Sequence, residues 1–155
     1  MVTLQKATIE DCTLIHSIQV KSFVELLQKY NDFQSNPAAE SPEKILQRFH
    51  QSFTDYYLIL ADEVTVGMLR VCNFGMKCRL SPICILPEYR GLGYSKRAIG
   101  EMEKLYPDAS VWMLDTIAQE AHLCRLYESL GYRATGKTEK IKEGMDLVFY
   151  EKTMK

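Results

Sequence analysis

The stretch ILPEYRGLGYSKRAIGEME, residues 85–103, limits the choice of fold more than any other part of the chain. An apolar run ends at Pro87, which cannot donate to a strand ladder. A Gly-Leu-Gly turn follows. Apolar residues then recur at Tyr94, Ala98, Ile99, Met102, Leu105 and Tyr106, the spacing of an amphipathic helix. Pro107 stops that helix, and VWMLD (111–115) reads as the next strand. Strand, helix and strand in this order make a crossover. Upstream lie three strand-like runs: YYLILA (56–61), VGMLRVC (66–72) and CRLSPICIL (78–86). NFGMK (73–77) reads as a hairpin connection, because Asn73 and Gly75 tolerate positive φ. A meander followed by a crossover requires a mixed sheet covered by helices, an α+β (α/β sandwich) architecture.

The other segments extend this order. Residues 2–6 form a short strand. Thr8, with Asp11 holding the first turn, opens a helix that runs to about residue 30. Residues 31–41 read as loop, and Asp32, Asn36 and Glu40 there either line an acceptor pocket or are solvated. Ser41-Pro42-Glu43 begins a second helix, continued by Ile45, Leu46, Phe49 and Phe53. Thr116 and Gln119 predict a capping box for a helix along Leu123, Leu126, Tyr127 and Leu130, with Gly131 as its stop. Strands at 132–141 and 146–152, turned near Glu143-Gly144, end the chain. Pro82 removes a ladder donor inside its strand, and marks where that strand splays from a neighbour.

With 155 residues, 46% of them hydrophobic, one domain over 1–155 is expected to bury its own core. A net charge of −1 provides no basic field for nucleic acid or an anionic membrane. No apolar run approaches the roughly 20 residues that span a bilayer. The start, MVTLQKATIEDC, lacks a signal-peptide apolar region, so a cytoplasmic location is expected. The five cysteines are odd in number and form no C-x-x-C pair, and His16, His50 and His122 are scattered. That argues against a metal site or a disulfide framework.

A glycine turn between a strand and a helix can cradle an anion. Backbone approaches closely at Gly91 and Gly93, the first helical N–H groups are free, and the helix dipole favours negative charge. Arg90 can add a charge-assisted bond to a phosphate. G-x-G at such a turn also serves tight packing alone. The motif is neither a Walker loop, since no Gly-Lys-Ser/Thr follows, nor a full dinucleotide fingerprint, since the third glycine is missing.

Three pieces in order resemble the GNAT superfamily of acetyl-CoA-dependent N-acetyltransferases. Arg90-Gly91-Leu92-Gly93-Tyr94-Ser95 is similar to its Q/R-x-x-G-x-G/A loop, with Ser95 where Gly or Ala is usual. Ile85-Leu86-Pro87-Glu88-Tyr89 resembles its V-x-P-E-Y lead-in, and Leu126-Tyr127-Glu128-Ser129-Leu130-Gly131-Tyr132 its L-Y-E-K-L-G-F/Y segment. The resemblance implies a mainly antiparallel mixed sheet of about seven strands, splayed between the fourth and fifth, under about four helices. It implies acetyl-CoA as co-substrate, without metal. The pantetheine arm would lie along Ile83, Cys84 and Ile85, with the Ile85 N–H facing the acetyl oxygen. The pyrophosphate would lie on Arg90, Gly91, Leu92, Gly93, Tyr94, Ser95 and Lys96. Tyr127 matches the family's tyrosine that assists the leaving thiolate. No acid lies in 78–86, where many relatives carry a glutamate; Asp115 and Glu120 are the near candidates for a base. Glu120 stands where relatives have an asparagine that faces the cofactor, and a first-turn acid also simply complements a helix dipole. The acceptor would be a small-molecule or peptide amine, and a homodimer stays open. A non-catalytic acyl-CoA-binding module on the same fold, or a plain nucleotide-phosphate binder, are the competing readings.

Overall fold

The computed structural model describes residues 1–154. Seven strands form one sheet: β1 (Val2–Lys6), β2 (Thr54–Ala61), β3 (Val64–Asn73), β4 (Lys77–Ile85), β5 (Val111–Ile117), β6 (Arg133–Lys142) and β7 (Met145–Thr153). Their spatial order is β1-β2-β3-β4-β5-β7-β6. All neighbours run antiparallel except β4 and β5, the two strands joined by the crossover. The helices are α1 (Cys12–Tyr30), α2 (Pro42–Phe49), α3 (Tyr94–Leu105) and α4 (Ala121–Ser129).

The helices cover the two faces of the sheet separately. On one face, Ala98, Ile99 and Met102 of α3 and Tyr127 of α4 are buried with Leu69, Trp112, Leu114 and Tyr150. On the other, Ile15 and Ile18 of α1 and Ile45 of α2 are buried with Tyr56, Leu58, Met68 and Cys84. That second layer lies on β2, β3 and β4. Met113, Asp115 and Phe149, farther along the same face, belong to neither apolar cluster.

An opening lies between β4 and β5. Their pairing consists of Lys77 with Val111, Cys78 with Trp112 and Arg79 with Met113. Beyond that point β4 stays paired to β3 as far as Ile85, and β5 to β7 as far as Ile117. Two strands held by their outer neighbours therefore diverge as a V. The expected irregularity at Pro82 is present, because the β3–β4 register shifts between Leu69 and Val71.

Gly67 holds the arm of the V that β4 forms. A Cβ at this position would lie 2.1 Å from the Cys84 carbonyl oxygen, a backbone atom that cannot yield cheaply. Gly67→Ala is therefore expected to push β4 off β3, and to lower stability by about 1–3 kcal/mol, as overpacking does. Thermal or urea unfolding checks this.

Three local expectations need correction. Phe53 is not part of α2, which ends at Phe49; it stacks on Phe74 with ring centroids 5.2 Å apart. The Thr116–Gln119 capping box does not form. Pairing with β7 carries β5 through Ile117, so Thr116 lies in the ladder opposite Val148 and cannot cap a helix. Gln119 instead donates to the Asp146 carboxylate at 2.7 Å and accepts from its N–H at 3.0 Å, and α4 starts at Ala121. The 31–41 loop is packed rather than solvated. Asp32 and Asn36 are buried, and the Glu40 carboxylate accepts two bonds from Arg48, at 2.7 and 2.9 Å, and one from Gln19. These polar groups are used within the layer of α1 and α2.

Candidate active site

The RGLG turn lies at the open end of the V. Gly91 and Gly93 have φ of 80° and 81°, a left-handed conformation that side-chain-bearing residues rarely adopt. A Cβ on either glycine would meet nothing within 4 Å, so the space over the turn is open. Gly93 is the N-cap of α3, and the first intrahelical bond runs from the Arg97 N–H to the Gly93 carbonyl. The N–H groups of Tyr94, Ser95 and Lys96 therefore have no partner in the helix and point out of its positive end. Such a helix start favours an anion.

Arg90 is tied to two backbone carbonyls. Its Nη2 donates to the Ser22 carbonyl at 2.6 Å and its Nε to the Ile85 carbonyl at 3.2 Å, and Glu25 stands 3.6 Å away. The guanidinium ties the turn to α1 and to the end of β4. It braces the cradle from behind.

Backbone alternation sets what β4 offers to the gap. The Leu86 N–H bonds the Val66 carbonyl on the β3 side at 2.8 Å. Successive residues of a strand direct their N–H groups to opposite neighbours. The Ile85 N–H therefore points away from β3, into the space that β5 has left. Ile83, two residues back, has the same direction. Cys84 faces the α1 layer; burial pushes its thiol up to about 12, which leaves it protonated at neutral pH.

Tyr127 is buried on the α3–α4 face of the sheet. Its ring packs against Tyr132 and Tyr150, with centroids 6.3 and 6.4 Å away. This accounts for the LYESLGY segment: Gly131 turns the chain at φ 94°, and Tyr132 comes back under Tyr127. Burial raises the Tyr127 hydroxyl well above its ordinary pKa, and the charges of Asp115, Cys124 and Cys84 add to the effect. The hydroxyl makes no hydrogen bond among the described residues.

The two carboxylates near the gap differ in character. Glu120 is 7% exposed; it accepts from Lys29 Nζ at 2.6 Å and from the Tyr30 hydroxyl at 2.5 Å. Burial alone would raise its pKa, but these two bonds outweigh it and hold the carboxyl below its usual range. Such a group is a weak base, and it joins the end of α1 to the start of α4. Asp115 lies on β5, just past the last β4–β5 pair. It forms an ion pair with Arg79 and sits beside Phe149 of β7. Burial raises its pKa further than Arg79 lowers it. Arg79, Met113 and Phe149, which line a cavity of about 220 Å³ with Asp115, carry no motif in the sequence.

The family described as acetyltransferase (GNAT) domain matches residues 26–154. The chain belongs to the GNAT acetyltransferase family. No curated protein matches the sequence significantly. Among solved structures, the ribosomal-protein-S18-alanine N-acetyltransferase of Escherichia coli is similar, with a TM-score of 0.79 at 14% identity, covering 99% of this chain and 94% of that one. The PaiA N-acetyltransferase of Thermoplasma acidophilum, solved with coenzyme A, gives 0.74 at 20% identity, covering 99% of both chains. The spermidine N-acetyltransferase of Vibrio cholerae, solved with CoA and spermine, gives 0.77 at 17%, covering 98% and 95%. At these identities the likeness shows the fold. The seven-stranded sheet with its parallel β4–β5 pair is thus the GNAT architecture. Among the described residues, no group of three or more His, Cys, Asp or Glu could hold a metal, and no helix is long and apolar enough to cross a membrane.

Proposed function

We propose that this GNAT protein transfers the acetyl group of acetyl-CoA directly to a primary amine on a small molecule, peptide or protein. The observation that carries this reading is the V itself. It opens a strand-wide gap with the Ile85 N–H facing in, next to a helix N-terminus shaped for phosphates. Gly91, Leu92, Gly93, Tyr94, Ser95 and Lys96 hold the pyrophosphate through their backbone. Arg90 braces that turn. The free backbone of Ile83 and Ile85 pairs with the pantetheine arm as a missing neighbour strand would. The Ile85 N–H then stabilises the oxyanion, a type of contact whose loss costs about 10²–10³ in rate. Holding amine and thioester together supplies much of the rest.

Tyr127 is the hydrogen-bond donor to the leaving thiolate. An ordinary thiol has a pKa of about 8.5 and an ordinary tyrosine about 10. Burial raises Tyr127 further, so it donates a hydrogen bond and keeps its proton. Glu120 is the positioning tie between α1 and α4 described above.

A second reading, a non-catalytic acyl-CoA-binding module, draws support from one observation: β4 carries no acid, and Glu120 is neutralised by Lys29. Turnover separates the two. Purified protein with acetyl-CoA is offered spermidine, a lysine-containing peptide and a peptide with an N-terminal alanine, and free CoA thiol is followed. Thiol release with at least one amine is expected. Tight CoA binding with no release from any amine would favour the module. Equal affinity for ADP and CoA would favour a nucleotide-phosphate site.

A further inference from the structure

Tyr127 is packed against two other tyrosines, and each of these ends on a carboxylate. Tyr132 meets the Tyr127 ring edge-on, at 70°, and Tyr150 meets it tilted, at 45°. All three rings are buried. The Tyr132 hydroxyl donates to Glu103 of α3 at 3.0 Å. Lys152 of β7 donates to both oxygens of the same carboxylate, at 2.9 and 3.1 Å. The Tyr150 hydroxyl, on β7, donates to Glu128 of α4 at 2.8 Å. Burial, reinforced by Glu103 at Tyr132 and by Cys124 and Glu128 at Tyr150, raises both hydroxyls above the ordinary tyrosine range, so both stay protonated and keep donating. The Tyr127 hydroxyl is different. It bonds none of the described residues, and it is not among the buried polar atoms that lack a partner, so its oxygen is not sealed from solvent.

These bonds join elements that otherwise have little in common. α3 and α4 make little direct contact. Glu103 lies on α3, ten residues past the Gly93 N-cap, or about 15 Å along the helix at 1.5 Å per residue. Gly131 turns the chain after α4 and brings Tyr132 back under Tyr127, where it meets Glu103. Glu128 ties α4 to β7, the outer neighbour of β5. The ring of Tyr127 is thus held between one brace that leads to the cradle helix and another that leads to the β5 arm of the V. In the reading above, the phosphates of CoA lie on α3 and its sulfur lies by α4. What joins α3 to α4 therefore sets the spacing between the two ends of the cofactor site.

We propose that Glu103 and Glu128 are positioning residues for acetyl transfer: through Tyr132 and Tyr150 they fix where the Tyr127 hydroxyl stands relative to the phosphate cradle. The inference rests on the acetyltransferase reading above, with Tyr127 as donor to the leaving thiolate. Both carboxylates act through a ring, not on the reacting atoms. A donor stabilises a thiolate only at hydrogen-bond distance, and a misplacement of about 1 Å can cost on the order of 10²-fold in rate. Packing alone orients a ring loosely; a hydroxyl bonded at its far end fixes it along its length. The LYESLGY segment then has a use for three of its residues: Tyr127 donates, Glu128 holds Tyr150, and Tyr132 supports the donor from below.

The test is a double-mutant cycle on kcat, with the best acceptor of the amine screen. Tyr132→Phe and Tyr150→Phe are each made in wild type and in Tyr127→Phe. Both keep their rings. Tyr132→Phe leaves Glu103 paired with Lys152, and Tyr150→Phe leaves Glu128, an exposed residue, to water, so neither strands a buried charge. In wild type each change should lower kcat about tenfold, a fraction of the cost of full misplacement. KM for acetyl-CoA and the Kd of CoA should stay the same. In Tyr127→Phe there is no hydroxyl left to aim, so the same changes should lower kcat by less than about twofold, as expected for residues that act through one another. Glu128→Gln keeps an oxygen that accepts from Tyr150, and should recover most of the rate that Glu128→Ala loses. Wild-type kcat in either Tyr→Phe variant overturns the role of its carboxylate. An equal loss with and without the Tyr127 hydroxyl overturns the whole proposal, because damage to packing is blind to that hydroxyl. Full activity in Tyr127→Phe removes the proposal and leaves the acetyltransferase reading intact. Absence of turnover by wild type with every amine removes both together.

Discussion

Gly93→Asp is expected to abolish CoA binding without unfolding the protein. Nothing lies within 4 Å of a Cβ built at this position, so the new side chain has room. Gly93 is the N-cap of α3, and aspartate is among the preferred residues there and among the few that tolerate a left-handed backbone. The helix therefore survives. What changes is the cradle: a carboxylate occupies the position meant for phosphate and takes the free N–H groups for itself. Two unit charges 4 Å apart repel by about 4 kcal/mol at the effective dielectric of a protein surface. An increase in Kd of at least about 100-fold, or about 2.7 kcal/mol, follows. Isothermal titration of CoA measures it. Gly93→Ala separates charge from strain: it lacks the carboxylate and should lose far less. Unchanged affinity in Gly93→Asp would show that the turn is not where the pyrophosphate lies.

The second large effect is on rate. Tyr127→Phe should lower kcat by about 10²-fold, the scale of a lost proton-donor contact in a transition state. CoA affinity and melting temperature should hardly change. The reason is the environment of the hydroxyl, which makes no hydrogen bond among the described residues; its removal leaves no buried group unsatisfied. The ring, packed against Tyr132 and Tyr150, stays. Acetyl transfer under saturating acetyl-CoA, with thermal unfolding of the same variant, checks both halves. Full activity in Tyr127→Phe would make Tyr127 a packing residue and leave the thiolate to solvent.

Much of this site was legible in the linear chain. The glycines of RGLG predict a left-handed turn at a helix start, and both have positive φ. Pro82 predicts a disturbed ladder, and the register shift lies opposite it. LYESLGY predicts a helix stopped by glycine, and α4 ends at Ser129 before Gly131. Other features depend on partners that no local window contains. Thr116 and Gln119 have the spacing of a cap, but a strand seven residues long won their backbone. Arg90 has the charge for a phosphate, and its guanidinium also bonds two carbonyls, one of them 68 residues away. Glu120 looks like a free acid, and Lys29, 91 residues away, occupies it.

The sequence alone determined the order of elements, the mixed sheet and the glycine turn. Each of these follows from short-range causes: apolar period, proline's missing donor, and glycine's freedom at positive φ. Only the tertiary structure decided which charges meet. Arg79 and Asp115 are 36 residues apart, and Asp115 and Phe149 share a cavity because β5 lies between β4 and β7. Strand register sets that proximity. Register is the joint result of many side chains seeking burial across the whole sheet, so no local window of sequence contains it.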